Sequence, residues 1–488
     1  MFTVLEIMER IEVSLLILIV LVILLTIYLK DYIRTVFFAL TIPGPKAIPF
    51  LGSVLVLKDS KATEYLGTYM SQLYGRISCG WVSIIPFIFL YEPEHLQAIL
   101  SNSKRSEKNR IYKILHNFLG IGLVTENGHK WKFHRKLIQP LFHINVLELY
   151  IYHFIQGSQE FLKHIKEKEN VKITSYINNL IIRTLHRSIL GVEQTEDSPF
   201  RKGQTTMLYR LTRPWLLFDN FFKFTSAGYN ESNQKCSLFN YTKKILEEKI
   251  KSEKRNPEFC LMDALIEVSR NNQDFTYTDV INEICTFMLA GQDSSGAALA
   301  FLLYFIAKHK DIQEKIWKEQ KCIFENVHAN ITMNDLNKMK YLEQCIKETL
   351  RIYPSVPMMA RVLKEDLTLD RKYCIPKGTN IIVSPFITHR LPHIFKDPLK
   401  FDPDRFSEEN IEDIHPYAYL PFSLGNRQCI GYKFAIMEIK TVTSVLLRNY
   451  HISLLDKTKD IHMLYRVTLR IKEGVWLHLK PRNCSNFV

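Results

Sequence analysis

Residues Pro421 to Gly431 read PFSLGNRQCIG, and from Tyr432 to Arg448 the chain continues with apolar residues at helical spacing. Gly425 and Gly431 flank Cys429, which leaves the loop free to adopt positive φ and lets a large planar group come close to the backbone. The cysteine stands just ahead of a helix, where unpaired N–H groups and the helix dipole favour a thiolate over a thiol.

A thiolate suits a haem iron, to which it supplies the electron density that helps break an O–O bond. Arg427, two residues before the cysteine, is placed to meet a haem propionate. Phe422, Gly425, Arg427, Cys429 and Gly431 together resemble the haem-binding signature FxxGxRxCxG of the cytochrome P-450 superfamily. The resemblance implies a haem-thiolate monooxygenase holding haem b, with Cys429 as the metal ligand and with Phe422, Arg427 and Gly431 against the cofactor.

Further segments carry the same resemblance. Glu348 and Arg351 share one face of a predicted helix at i, i+3 spacing, which alone would be an everyday surface ion pair. Their order in the chain resembles the superfamily's ExxR pair, and Phe401-Asp-Pro-Asp-Arg405-Phe406 resembles its PERF segment, with Asp404 replacing the usual glutamate. Glu348, Arg351 and Arg405 are therefore expected to form a buried structural network beneath the haem. Trp131 and Arg135, one helical turn apart, resemble the WxxxR helix, and Arg361 matches another propionate-facing arginine. Ala290-Gly-Gln-Asp293-Ser294-Ser295 puts a polar cluster inside an apolar helix, so it should either cross a cavity or kink the helix. In the superfamily this is the oxygen-binding segment, which implies Asp293 as the proton-delivering acid and Ser294 as the alcohol, where most members carry threonine.

Leu119 to Gly128, Arg213-Pro-Trp215, His415 to Phe422, Leu469-Arg470 and Gly474-Val-Trp476 resemble the microsomal branch called family four, rich in fatty-acid ω-hydroxylases. Many of its members have a glutamate where Ala290 stands, and that carboxylate can form an ester to the haem. Alanine cannot, so the haem of this chain is expected to be held by the Cys429 thiolate and non-covalent contacts alone.

The fold expected is mainly α with small peripheral β-sheets, the cytochrome P-450 fold, preceded by one N-terminal transmembrane anchor helix. Periodicity predicts helices over Trp131–Leu149, Phe154–Ile165, Ile281–Ala307, Ile312–Cys322, Asp335–Arg351 and Tyr432–Arg448, and strands over Ile84–Leu90, Leu367–Leu369, Asn380–Val383, Thr468–Arg470 and Val475–Leu479. Val13 to Leu29 is a run without charge, close to the ~20 residues a membrane-crossing helix needs. Glu6, Glu9, Arg10 and Glu12 precede it, unlike the basic start of a cleaved signal, while Lys30, Arg34 and Lys46 follow it. That asymmetry predicts a single-pass protein of the endoplasmic reticulum membrane with its catalytic domain on the cytosolic side. The domains read as an anchor over 1–30, a proline-rich linker over 31–52, and a haem-thiolate catalytic domain over 53–488.

Nine cysteines without a Cys-x-x-Cys pair exclude a disulfide framework and point to a reducing compartment. The charge balance, 64 Lys+Arg against 50 Asp+Glu, lacks the motifs of nucleic-acid binding, so no nucleic acid is expected as partner. His129, Lys130, Lys132, His134, Arg135 and Lys136, with Lys433, form a basic face that is either a docking site for an acidic reductase or simply solvated. The resemblance implies electrons from NADPH through cytochrome P-450 reductase, with cytochrome b5 as a second partner. Pro214 to Phe224, PWLLFDNFFKF, is either core or a membrane-dipping entrance. Leu119, Ile121, Phe287, Ala290, Val356, Met358 and Met359 are candidate pocket walls.

The leading reading is insertion of one oxygen atom of O2 into a C–H bond of a fatty acid or related lipid, beside membrane lipid. Its rivals are the same chemistry on a terpenoid hormone, sterol or foreign compound, a hydroperoxide isomerase or dehydratase, and a non-catalytic haem protein.

Overall fold

Thr276 opens the longest helix of the body: its hydroxyl accepts from the Asp279 N–H and the Asp279 carboxylate accepts from the Thr276 N–H. In the computed structural model, residues 4–102, 104–202, 205–252, 258–456 and 461–482 are described. Residues 1–3 of the predicted anchor and 483–488 of the predicted catalytic domain lie outside them.

The longer helices are α1 (Val4–Leu40), α2 (Ser60–Tyr74), α3 (Gly128–Ile138), α4 (Ile151–Ile165), α5 (Ile173–Leu185), α6 (Ser226–Lys251), α7 (Leu261–Asn271), α8 (Tyr277–Lys308), α9 (Lys310–Ile323), α10 (Lys340–Ile352) and α11 (Tyr432–Asn449). The strands are β1 (Ile77–Val82), β2 (Ile85–Leu90), β3 (Ser106–Lys108), β4 (Asn170–Lys172), β5 (Met359–Leu363), β6 (Leu367–Leu369), β7 (Tyr373–Ile375), β8 (Asn380–Val383), β9 (Tyr450–Leu454), β10 (Met463–Tyr465), β11 (Leu469–Ile471) and β12 (Trp476–Pro481). They form a sheet ordered β1-β2-β8-β5-β3, a sheet ordered β4-β12-β9, and the hairpins β6-β7 and β10-β11. The architecture is thus mainly helical with small sheets at the periphery. α8 crosses the main core, packed by α5, α6, α10 and α11.

Beyond shifts of up to four residues at the ends of elements, three larger departures from the predicted boundaries occur. The helix expected over Trp131–Leu149 stops at Ile138, because Pro140 has no N–H to give and the chain turns through short segments before α4. The helix expected over Asp335–Arg351 is split at Met339 into Met333–Lys338 and α10. The helix of the anchor does not end at residue 30: α1 continues to Leu40, so the first ten residues of the predicted linker are helical, and the prolines begin only at Pro43. Its last turns pack on β2, with Thr35 and Ala39 buried and Arg34 donating to Asp366 at 2.8 Å. Ile11–Leu40 is long and apolar enough to cross a membrane; α8 is too, but most of it is buried inside the body.

Candidate active site

Glu348 and Arg351 are fully buried on α10 and form a bidentate pair, Nε to Oε2 at 2.6 Å and Nη2 to Oε1 at 2.9 Å. The carboxylate also accepts from the Asp402 N–H at 2.9 Å and meets Arg405 Nε at 3.5 Å, which joins the three residues the sequence grouped. Asp404 stays outside this network, facing Lys315 at 3.6 Å. Arg351 Nη1 donates to the carbonyls of His389 and Pro398, both at 2.8 Å.

His389 was not legible as a functional residue, yet it links this pair to the cysteine loop. Its Nδ1 donates to the Arg351 carbonyl at 3.1 Å and its Nε2 accepts from the Leu420 N–H at 2.7 Å, an arrangement that requires the neutral imidazole. Complete burial and the adjacent Arg351 push its pKa down to about 3. Two residues beyond Leu420, the Phe422 carbonyl accepts from the Cys429 N–H at 2.9 Å.

Gly425 has φ +72°, and a Cβ there would lie 2.1 Å from the Leu100 carbonyl oxygen, so this turn requires glycine. Gly431 differs from expectation, with an ordinary φ of −91° as the N-cap of α11. The space its Cβ would enter is open as far as Phe142, 4.0 Å away, which leaves room for a close approach. The Cys429 side chain is accessible although protein encloses it on the scale of the body, so it faces a cleft. Burial pushes its thiol pKa up, while the Gly431 N–H and the charges of Arg135 and Lys108 oppose that shift.

Around this cleft stand Lys108, Arg135, Arg361 and Arg427. Arg427 lies 3.6 Å over the Trp131 ring and donates to the Glu126 carbonyl and Asn127 Oδ1, both at 2.9 Å. Arg135 Nη1 donates to the Gln428 carbonyl at 3.1 Å. Arg361 is buried on β5, directly across from Lys108 on β3. Among the described residues none of the four cations pairs with a carboxylate. Burial, together with Arg361, pushes the Arg427 guanidinium down to about 9 and drives the Lys108 ammonium well below its usual range. Four cations crowded together without counter-ions, two of them opposite each other on neighbouring strands, are unfavourable unless an anion lies between them. A thiol on one side and uncompensated cations on the other fit a haem with its two propionates. Lys108, in a short strand far from any motif, had no signal in the sequence.

α8 is helical without a break through the polar cluster. Ala290 to Ser294 are partly exposed, whereas Ser295 to Ala307 beyond them are buried. The Ser294 hydroxyl donates to the Ala290 carbonyl at 2.8 Å, and its carbonyl accepts from the Ser355 hydroxyl at 3.0 Å. Asp293 turns to the C-terminal hairpin, where it pairs with Arg470 and accepts from the Thr468 hydroxyl. His134 departs from the basic face assigned to it. It is buried against Glu283, Nδ1 to Oε1 at 2.7 Å, and with the Lys130–Asp279 pair at 2.8 Å it fixes α3 to α8. His129, Lys130, Lys132, Lys136 and Lys433 are exposed.

A second, largely apolar cavity of about 240 Å³ is lined by residues including Val54, Met70, Phe87, Leu211, Met358 and Phe386. Of the predicted walls, Val356 and Met358 line it; Leu119 is in the main core, and Phe287 stacks on Phe142 at 5.2 Å. Beside it, Pro214–Phe224 is split between the two readings. Pro214, Leu216 and Phe222 are buried, and Trp215, Phe218, Phe221 and Phe224 face outward. The fully buried Arg210 sets that polarity: it donates to the Leu216 carbonyl at 2.9 Å and to Asp219 at 2.6 Å, and lies 4.2 Å over the Phe222 ring.

Residues 42–478 match the family described as Cytochrome P450. The chain is 43% identical to "Probable cytochrome P450 4aa1" of Drosophila melanogaster, over 96% of both chains. It is 31% identical to "Cytochrome P450 4V2" of Homo sapiens over 90% of this chain and 89% of that one. With "Cytochrome P450 4c3" of Drosophila melanogaster the identity is 31%, over 94% and 93%.

Replacing Glu348 by Gln leaves the charges of Arg351 and Arg405 without their carboxylate; the expected loss is about 3–5 kcal/mol in urea unfolding, with reduced haem content in purified protein. His389 adds a pH signature. Its native pKa lies below the unfolded value, so between about 6.5 and about 3 the unfolded chain binds a proton that the native chain refuses. Stability should therefore fall as pH drops through that window, by up to about 1.4 kcal/mol per unit. In a His389→Asn variant, pH-dependent urea midpoints should show a shallower acid slope.

Proposed function

We propose a function from the premise that the chain belongs to the cytochrome P450 family, in its family-four branch, and is a monooxygenase oxidoreductase: it hydroxylates a fatty acid or related lipid at a membrane surface. The observation that carries this reading is the apolar cavity whose neighbouring segment turns four aromatic side chains outward. Lipid-phase entry suits a long-chain apolar substrate. The apolar helix preceding the body supports residence on the endoplasmic reticulum membrane, with the body on the cytosolic side.

When bound, haem b activates O2 so that one oxygen atom enters the C–H bond and the other leaves as water, with two electrons drawn from NADPH through a reductase. Cys429 supplies the sulfur ligand from the N-terminus of α11. Trp131, Arg135, Arg361 and Arg427, joined by Lys108, hold the propionates. Phe422 packs beside the cysteine, and Gly431 leaves the approach open. Glu348, Arg351 and Arg405 hold the loop that carries Cys429. Ala290 offers no carboxylate for an ester, so the haem is bound without that link.

Ser294 is the alcohol of the proton relay and Asp293 the acid. Asp293 is clamped by Arg470 and Thr468, so proton exchange with Ser294 requires this clamp to loosen or a water to bridge it. A serine hydroxyl also rotates more freely than a threonine, which favours peroxide leakage. The exposed Lys132, Lys136 and Lys433 offer a docking face to an acidic reductase, and cytochrome b5 has the same requirement.

The reduced, carbon-monoxide-bound absorption spectrum tests the premise for this chain. Native protein should show the strongly red-shifted Soret band of thiolate ligation, and Cys429→Ala should lose it; a histidine-like band in folded native protein would remove Cys429 from the iron. Reconstituted with reductase and NADPH, Asp293→Asn should lower lipid hydroxylation by about 10²-fold. Ser294→Thr should lower the ratio of peroxide to hydroxylated product.

A further inference from the structure

The apolar cavity has one charged residue on its wall, Arg466, in the turn between β10 and β11. Its neighbours Tyr465 and Val467 line the same cavity. Arg466 is exposed, and among the described residues its guanidinium makes neither an ion pair nor a hydrogen bond. Other polar side chains on the wall are already engaged. Ser53 Oγ accepts from the Trp81 N–H at 2.8 Å, Ser384 Oγ donates to the Pro357 carbonyl at 3.1 Å, Thr63 Oγ1 donates to the Val56 carbonyl at 2.9 Å, and the Tyr112 hydroxyl accepts from the Ala360 N–H at 3.2 Å. Tyr465 is the exception: its side chain is buried and its hydroxyl has no hydrogen-bond partner among the described residues.

We propose that Arg466 is the anchor for the carboxylate of a long-chain fatty acid, and that it makes this cavity selective for acids over neutral lipids of the same length. The proposal deepens the lipid reading above and rests on it. A guanidinium recognises a carboxylate through paired N–H donors, and the unpartnered hydroxyl on the same wall belongs to Tyr465, its neighbour in the chain. The hairpin that carries Arg466 packs on Phe386 and on the segment leading to Arg361: Tyr465 lies 5.8 Å from the Phe386 ring, and the Leu469 N–H donates to the Ser355 carbonyl at 2.9 Å. Pro357, Met358 and Ala360 of that segment and Met207, Leu208 and Leu211 of the short helix Met207–Leu211 line the same cavity.

Titration calorimetry of the holoenzyme with hexadecanoate and with hexadecanol tests the assignment on native protein, Arg466→Ala and Arg466→Lys. Native protein should bind the acid more tightly than the alcohol. Arg466→Ala should weaken the acid by about tenfold or more while changing the alcohol by less than about twofold, and Arg466→Lys should fall between. Equal loss of both ligands, or no loss of either, overturns the anchor and leaves the lipid reading standing. Native protein that binds neither ligand overturns the lipid reading as well. Cosedimentation with phosphatidylglycerol vesicles separates the other source of an anion. If Arg466→Ala lowers vesicle binding while the acid-to-alcohol ratio is unchanged, the guanidinium serves lipid headgroups and the proposal fails.

Discussion

The bidentate contact between Glu348 and Arg351, closed off from water, is the constraint on which the cysteine loop depends. A buried carboxylate and guanidinium are tolerable only when each is fully satisfied. Here the surplus donors of Arg351 are met by the carbonyls of His389, Pro398 and Lys400, and the surplus lone pairs of Glu348 by the Asp402 N–H. Satisfying one ion pair therefore gathers two separate stretches of chain, at His389 and over Pro398 to Asp402, onto α10. His389 extends the gathering to Leu420, and the backbone carries it to Cys429. The thiol's position is set by a chain of hydrogen bonds whose far end is a charge pair.

How much of this the sequence discloses depends on whether a residue's role is local. Cys429 and the glycine before it are legible because a thiolate at a helix start and a turn at positive φ need those residue types in that order. Ala290 to Ser294 are legible because polarity inside an apolar helix demands an explanation. Lys108 and His389 are not, because each works through a partner distant in the chain: Arg361 across a sheet and Leu420 beyond a loop. Arg210 is not, because it works through the carbonyls of an irregular turn that follows it, which has no sequence pattern. His134 was misplaced for the converse reason. In the sequence it is one basic residue among several on α3, and only Glu283 on α8 shows that its side chain points inward. Helix limits were missed at Pro140, which ends α3, and at Leu40, where the absence of any breaker lets α1 run on.

Charge in the body is met in more than one way. Lys440 pairs with Glu343 at 2.7 Å and Arg187 with Glu160 at 2.5 Å. Arg390 and Arg448 are buried, donate to the carbonyls of Phe386 and Ala329, and lie over the Phe386 and Phe324 rings. Burial pushes the Glu438 carboxyl up to about 8. The cations beside Cys429 differ from these in being gathered in one place, which is what makes an anion between them favourable.

The continuity of α1 into the body has a mechanical consequence. Its last turns are sheet-packed, with Thr35 and Thr379 in hydroxyl contact at 3.3 Å, so the helix meets the body as a mast stepped into a hull. A flexible tether would let the enzyme tumble above the bilayer and sample every orientation. On the membrane residence proposed above, a stepped mast would fix tilt and height, and with them the angle at which the body meets the lipid. Access would then become a two-dimensional search within one leaflet, and shortening or unwinding the last turns of α1 would alter the enzyme's reach without touching a residue around Cys429.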